Sequence, residues 1–201
     1  DLGKIEVRKA QSAIYIEPKE EDYDFEEALN RVSLIFGIAA FSRACVCEKS
    51  MDDIIAKSVV YLADTLKNVK TFKVEAKRSD KKFPLKSPEI CRELGGVLLS
   101  NFPHLKVDVH EPDIVVNVEI RDFSAYVRGE QLQGAGGLPV GTAGTASILI
   151  SGGIDSPVAG YMTCKRGMKL NCLHFHSFPY TGQAAKEKVI ELTQISDIMK
   201  K

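Results

Sequence analysis

The residues with the plainest chemical purpose in this 201-residue chain are Ser151-Gly152-Gly153-Ile154-Asp155-Ser156-Pro157. They follow the apolar run Ala146-Ser147-Ile148-Leu149-Ile150 and precede a helix-like segment over positions 158–165. A buried strand, a glycine turn and a helix start, in that order, build an anion site. Gly152 and Gly153 let the backbone turn sharply, so that successive N–H groups converge on one concavity and surround a phosphate. Ser156 is predicted as the N-cap and Pro157 as the first helical residue. The helix dipole then adds partial positive charge where the amides meet.

No Gly-x-x-x-x-Gly-Lys-Ser/Thr occurs; the nearest spacing, Gly136 to Gly141, is followed by Thr142, which disfavours a P-loop kinase or GTPase. Ser-Gly-Gly-x-Asp-Ser after a strand instead resembles the PP-loop of the ATP pyrophosphatase superfamily, whose members split ATP between the α- and β-phosphates and adenylate a substrate. An ordinary βα turn rich in Gly and Ser is the alternative.

The elements that would position this loop follow from periodicity. Positions 4–17 alternate around Ala10-Gln11 as two short strands would, and 25–36 repeat apolar residues at helical spacing. A strand is predicted at 38–47, a long amphipathic helix at 51–66 with Asp52 and Asp53 in its first turn, and a strand at 71–78. A basic loop at 81–87 leads to Pro88, which opens a helix over 89–101. Positions 113–121 and 123–129 read as a strand hairpin, and 132–144, with five glycines and Pro139, as a linker. Then come strand 146–150, helix 157–167, strand 169–176 and helix 184–199. That βαβα order implies a parallel, doubly wound sheet with its ligand at the carboxyl ends of the strands.

Composition is that of a soluble globular chain of one or two domains, 44% apolar and 27% charged. The 27 basic and 27 acidic residues cancel, so whole-chain charge says nothing about nucleic acid. Their distribution is more informative. Seven acids crowd positions 17–27 against the single Lys19, and nine bases stand against three acids between Lys67 and Arg92. That second window is a candidate polyanion surface. Lys67, Lys70 and Lys73 read as an ordinary solvated face, whereas Lys77, Arg78, Lys81, Lys82, Lys86 and Arg92 cluster around one loop and the next helix. Phe83 either stacks on a base or anchors the loop in the core.

Five cysteines with no Cys-x-x-Cys pair argue against a disulfide framework and against a zinc site, and fit a reducing cytoplasm. No stretch approaches the roughly 18 apolar residues of a membrane span. The chain begins at Asp1 and ends at Lys200-Lys201 within a helical pattern, so a piece of a longer protein is expected.

Three blocks carry a family resemblance: Ile35-Phe36-Gly37-Ile38 with Phe41-Ser42; Arg78-x-Asp80-Lys81-x-Phe83-Pro84-Leu85; and the segment from Gly134 to Gly141 leading to Ser151–Pro157 and His174-Phe175-His176-Ser177. Together they resemble the tRNA 4-thiouridine synthetases, or tRNA sulfurtransferases, over essentially the whole chain. The resemblance implies an α+β start, with the end of a ferredoxin-like domain at 1–49 (a broader THUMP definition begins near 26) and a THUMP RNA-binding domain at 50–131. A glycine-rich linker at 132–144 and the opening of an α/β doubly wound PP-loop adenylation domain at 145–201 would follow. It further implies that ATP and Mg2+ activate O4 of uridine 8 in tRNA, and that a persulfide sulfur from a cysteine desulfurase displaces AMP. Sulfur supply to the thiamine thiazole through a sulfur-carrier protein, a cytoplasmic location and a homodimer belong to the same implication.

Carried over residue by residue, Leu149, Ile150, Ser151, Gly152, Gly153, Ile154, Asp155, Ser156, His174 and Phe175 would line the nucleotide. Asp155 would be catalytic. A carboxylate beside phosphates is repelled unless a cation lies between them, so Asp155 would hold magnesium or orient pyrophosphate; a helix-turn cap is its structural alternative. His174 and His176 are expected to share a strand face beside the loop, contacting adenosine or serving the structure; a metal pair lacks a third ligand nearby. The six clustered bases would meet the tRNA acceptor end. No protein-bound metal is implied, the sulfur-handling cysteines would lie beyond Lys201, and this piece alone is expected to be inactive. Another PP-loop adenylating enzyme and a pure RNA-binding module are the rival readings.

Overall fold

The computed structural model describes residues 3–10, 13–20, 22–177 and 179–198. Gln11 in the first predicted turn, Glu21 of the acidic run, Met199 of the last predicted helix, and Lys200 and Lys201 lie outside them. Two compact units are present: Ser42–Leu132, and a second formed by Asp1–Phe41 with Gln133–Lys201.

In the second unit, strands β1 (Ile5–Ala10) and β2 (Ala13–Pro18) pair antiparallel, and helix α1 (Phe25–Ser33) follows. Asp24 caps α1 by accepting the Glu27 N–H at 3.0 Å. The predicted strand 38–47 is two short strands, β3 (Ala40–Phe41) and β4 (Cys45–Cys47), and the division between the units falls between them.

The unit 42–132 continues from β4 with helices α2 (Met51–Tyr61) and α3 (Ala63–Lys67), then strand β5 (Thr71–Arg78), helix α4 (Ser87–Asn101) and strand β6 (Lys106–Val107). Strands β7 (Ile114–Ile120) and β8 (Ala125–Arg128) follow, and β9 (Leu132–Gln133), which pairs with β3, spans the division between the units. The single helix predicted over 51–66 is divided at Leu62, where ψ relaxes to −2° while the side chain stays buried. Five strands form one sheet in the order β4-β8-β7-β5-β6. β5 and β7 run parallel, as a strand–helix–strand crossover through α4 requires, and β7 and β8 form the antiparallel hairpin expected from the sequence.

Alternation sorts this sheet. Ile114, Val116, Val118 and Ile120 of β7 are buried with Phe72 of β5 and with Ile90, Leu94 and Leu98 of α4, while Val115, Asn117 and Glu119 face the other way. Each fully buried aliphatic or aromatic side chain here contributes about 1.5–3 kcal/mol of burial.

The other unit resumes with β10 (Thr145–Leu149), α5 (Asp155–Lys165), β11 (Lys169–Leu173) and α6 (Gln183–Ile198). β10 and β11 are parallel and in register from Thr145↔Lys169 to Leu149↔Leu173, the start of the expected doubly wound sheet. α5 approaches closely through buried Gly160, where a Cβ would meet Leu170 and Ile148 at 3.5 and 3.7 Å.

The glycine-rich segment expected as a linker is bound into this unit. Gly134 and Gly136 N–H groups donate to Ala39 and Ile38 carbonyls, Leu138 N–H to Lys165, and Gly141 N–H to Gly167. Gly137 has φ +77°, and a Cβ there would overlap the Lys165 carbonyl oxygen, so both conformation and close approach require glycine.

Candidate functional site

At the carboxyl end of β10, Ile150 is 6% exposed and donates its N–H to the Leu173 carbonyl at 2.8 Å, fixing where the chain leaves the sheet. The helix begins earlier than predicted, at Asp155, with Ile154 in the cap position and no side-chain cap. Ser156 is therefore inside the first turn, and Pro157 is the third helical residue. Instead of capping, the Ser156 hydroxyl reaches back across the loop and accepts the Ser151 N–H at 3.0 Å, with the Ser151 hydroxyl 3.4 Å away. The N–H groups of Gly152, Ile154 and Asp155 donate to no acceptor within the chain among the described residues. A helix N-terminus without a cap thus presents free donors, the requirement for binding a phosphate.

Gly152 and Gly153 do not have positive φ, and added Cβ atoms would meet only Lys188 at 3.8 Å and Ser151 at 3.5 Å. The expected sharp glycine turn is therefore corrected: the loop conformation itself tolerates side chains there. What glycine preserves is the open space through which a ligand reaches the amides. The Asp155 carboxylate sits exposed in the first turn of α5.

The predicted strand through His176 ends at Leu173, so the two histidines do not share a strand face. His174 follows β11 with Nδ1 2.9 Å from the Ile150 carbonyl oxygen. That oxygen can only accept, so Nδ1 donates the hydrogen bond, and an Nε2 without a proton offers a lone pair. Nε2 is buried and has no hydrogen-bond partner among the described residues. His174, Ile150, Cys172, Val189, Ile190, Thr193 and Gln194 line an open groove of about 260 Å³. An incoming N–H or O–H group would satisfy this nitrogen, and a buried acceptor otherwise left unsatisfied costs about 1–3 kcal/mol. His176 is exposed, as are Leu149 at 62% and Phe175 at 77%.

The basic residues divide. Lys77 pairs in register with Glu119 on the sheet face away from α4. Burial would raise the Glu119 carboxyl, but hydrogen bonds from Arg121 at 2.7 and 3.1 Å, helped by the charges of Arg121, Arg128 and Lys77, hold it below its ordinary range. Arg78 points to the other face, where its Nη1 donates to the Phe83 and Leu85 carbonyls at 3.0 Å each. Lys81, Lys82 and Lys86 are exposed on the loop that Arg78 ties down, and Arg92 is exposed on α4. Phe83, 5% exposed within the core, is the anchor of that loop. Alternation therefore separates Lys77 from the other five.

Sequence reasoning missed what organises the loop. Lys49 donates from Nζ to Asp80 Oδ2 and to the Asp122 carbonyl, both at 2.7 Å, and Asp80 Oδ1 accepts the Lys82 N–H at 2.8 Å. The Lys49 hydrogen bond, then the Lys82 N–H, hold the Asp80 carboxyl below its usual value. Glu89 closes the start of α4 by accepting the Lys86 N–H at 2.6 Å. Among the described residues, no group of three or more His, Cys, Asp or Glu side chains could hold a metal, and no helix is long and apolar enough to cross a membrane.

A sheet-and-helix unit with a cation-bearing loop, and in the other unit a parallel strand–loop–helix with an uncapped helix start, define a protein with a THUMP domain and the beginning of a PP-loop domain. Family comparison agrees: residues 1–42 match the ThiI ferredoxin-like domain, 48–128 the THUMP domain, and 141–199 the thiamine biosynthesis protein (ThiI). The chain is 50% identical over 196 residues to a probable tRNA sulfurtransferase of Acetivibrio thermocellus, and 48% identical over 198 residues to one of Alkaliphilus oremlandii. These alignments cover 96% and 97% of the chain and 50% of each relative, so the chain spans about half the length of those relatives. A 4-thiouridine synthetase, solved in complex with RNA and bound ATP, superposes with a TM-score of 0.86 at 35% identity, over 98% of this chain and half of that one. PH1313 from Pyrococcus horikoshii gives 0.83 at 27% identity, over 97% of this chain and 64% of its own. The chain belongs to the tRNA sulfurtransferase family.

Proposed function

We propose that this chain is the tRNA-holding and ATP-receiving half of an enzyme that makes 4-thiouridine in tRNA. The observation that carries the reading is the uncapped start of α5, whose free amides follow directly from β10, with His174 held on the Ile150 carbonyl at the end of the same strand pair. ATP fits both ends: its phosphates accept from the loop amides, and an adenine amine donates to Nε2. Leu149 and Phe175 supply exposed apolar surface for the nucleoside. Asp155 would hold the Mg2+ that neutralises the phosphates. The solved 4-thiouridine synthetase complex with RNA and ATP supports both ligands.

On this reading, O4 of uridine 8 attacks the α-phosphorus of ATP and pyrophosphate leaves, giving an adenylated base. The outer sulfur of a persulfide charged by a cysteine desulfurase then attacks C4 and displaces AMP, and a second thiol takes the persulfide's inner sulfur into a disulfide, breaking the S–S bond and leaving the thiocarbonyl on the base. The same sulfur route would serve a thiazole sulfur-carrier protein, and the enzyme would act as a cytoplasmic dimer. Lys81, Lys82, Lys86 and Arg92 would take the tRNA backbone, with Arg78 acting through the loop it supports and Lys77 lying on a separate face.

Hydrogen exchange tests both halves on this chain. ATP with Mg2+ should slow the amides of 151–156, and a tRNA acceptor-stem minihelix those of 79–86. A folded chain showing neither protection at saturating ligand contradicts the proposal; protection by RNA alone reduces it to an RNA-binding module.

A further inference from the structure

We infer that Lys49 and Asp80 are positioning residues for nucleic-acid recognition, a pair that holds the loop between β5 and α4 in the shape that presents Lys81, Lys82 and Lys86 to a phosphate backbone. The inference rests on the RNA-binding reading above and adds to it the device that sets the geometry of the cations.

The loop is fixed at every stage of its course. At its start the Ser79 N–H donates to the Ile120 carbonyl at 2.9 Å, and the Ser79 hydroxyl accepts from buried Arg121 at 3.3 Å. Asp80 forms the pivot, with one oxygen on Lys49 and the other on the Lys82 N–H. Lys49 lies 31 residues upstream and also holds the Asp122 carbonyl, so one ammonium ties the basic loop to the β7–β8 turn. Phe83 sits in the core, Arg78 gathers the Phe83 and Leu85 carbonyls from within, and Glu89 fixes Lys86 as the loop enters α4. Lys49 and Asp80 are partly shielded, with side chains 33% and 12% exposed, whereas Lys81, Lys82 and Lys86 are exposed. The buried and half-buried groups maintain the shape, and the exposed lysines are left to solvent.

Asp80 distinguishes positioning from charge because the two predict opposite signs. An acid beside Lys81 and Lys82 repels a phosphate backbone, so if only net charge mattered its removal would tighten binding. If Asp80 sets the loop, its removal weakens binding although it makes the surface more positive, because lysines held in place lose less freedom on binding than lysines on a slack loop.

The experiment measures binding of a labelled acceptor-stem minihelix to the whole 201-residue chain across a salt series, for wild type, Asp80→Ala, Asp80→Asn, Lys49→Met and the Lys49→Met/Asp80→Ala double variant. Asp80→Ala should bind three- to tenfold more weakly at low salt, with a shallower salt slope. Asp80→Asn, whose amide keeps one acceptor oxygen and puts an NH2 donor in place of the other, should fall between. The double variant should lose little beyond Asp80→Ala, as two members of one device do. Circular dichroism and thermal melting identify the variants that remain folded; Asp80→Asn decides the matter if Asp80→Ala does not fold. Unchanged or tighter binding by a folded Asp80 variant overturns the inference while leaving RNA binding intact. No binding by wild type removes the RNA reading itself.

Discussion

Replacing Lys81 and Lys82 with alanine removes two of the four exposed cations on the basic loop and α4, the others being Lys86 and Arg92. Both side chains lie in solvent, and the Lys82 N–H that binds Asp80 remains, so the fold should be unaffected. If each cation replaces about one counterion on duplex RNA, the slope of log affinity against log salt is about −3.6 for wild type and about −1.8 for the double variant. Between about 50 and 200 mM salt, wild-type affinity then falls about 150-fold and that of the variant about 12-fold. Fluorescence anisotropy with a labelled minihelix at four or five salt concentrations reads both slopes. A variant with weaker binding and an unchanged slope would refute the reasoning, because the lost lysines would not have been on phosphates.

In the full-length protein, His174→Leu should weaken ATP about tenfold, the worth of one hydrogen bond to a buried acceptor, with little change in melting temperature, since the lost bond to Ile150 is offset by removal of the unsatisfied Nε2; unchanged affinity by calorimetry would place the base elsewhere. Gly137→Ala should lower the melting temperature, with at least about 1–2 kcal/mol lost to its positive φ alone and more to the overlap with the Lys165 carbonyl. Asp113 accepts the Lys70 and Thr71 N–H groups at 2.9 Å, and those bonds hold its carboxyl below the ordinary value. Its contribution is fully present above the unfolded value of about 4 and is lost as pH falls through the lower folded value. Asp113→Asn should therefore flatten the fall in melting temperature below about pH 4; an unchanged profile would exclude that linkage.

Much of the fold was legible because it rests on local pattern. The alternation at 71–78, the paired runs at 113–121 and 123–129, and the βαβα order after 145 each correspond to an observed element. The single strand predicted over 38–47 failed because its apolar residues are divided between two units, a boundary that periodicity does not mark. The glycine-rich segment read as a linker because composition shows freedom, not the hydrogen-bond partners at Ile38, Ala39, Lys165 and Gly167 that remove it. The loop over 151–157 stood out by its residue types, yet Ser156 was misassigned: the hydroxyl of the second helical residue can turn back to the loop, and sequence does not choose between the two. Lys49 carried no signal at all, since its partner lies 31 residues away across a fold that had first to be built.

The decisive experiment expresses the full-length protein that contains this chain in cells whose tRNA lacks 4-thiouridine and reads the tRNA nucleosides by mass spectrometry. 4-Thiouridine should return with the wild-type protein and be absent with Asp155→Asn produced at the same level. Unthiolated tRNA in the presence of the folded wild-type protein and a working cysteine desulfurase would contradict the proposed function.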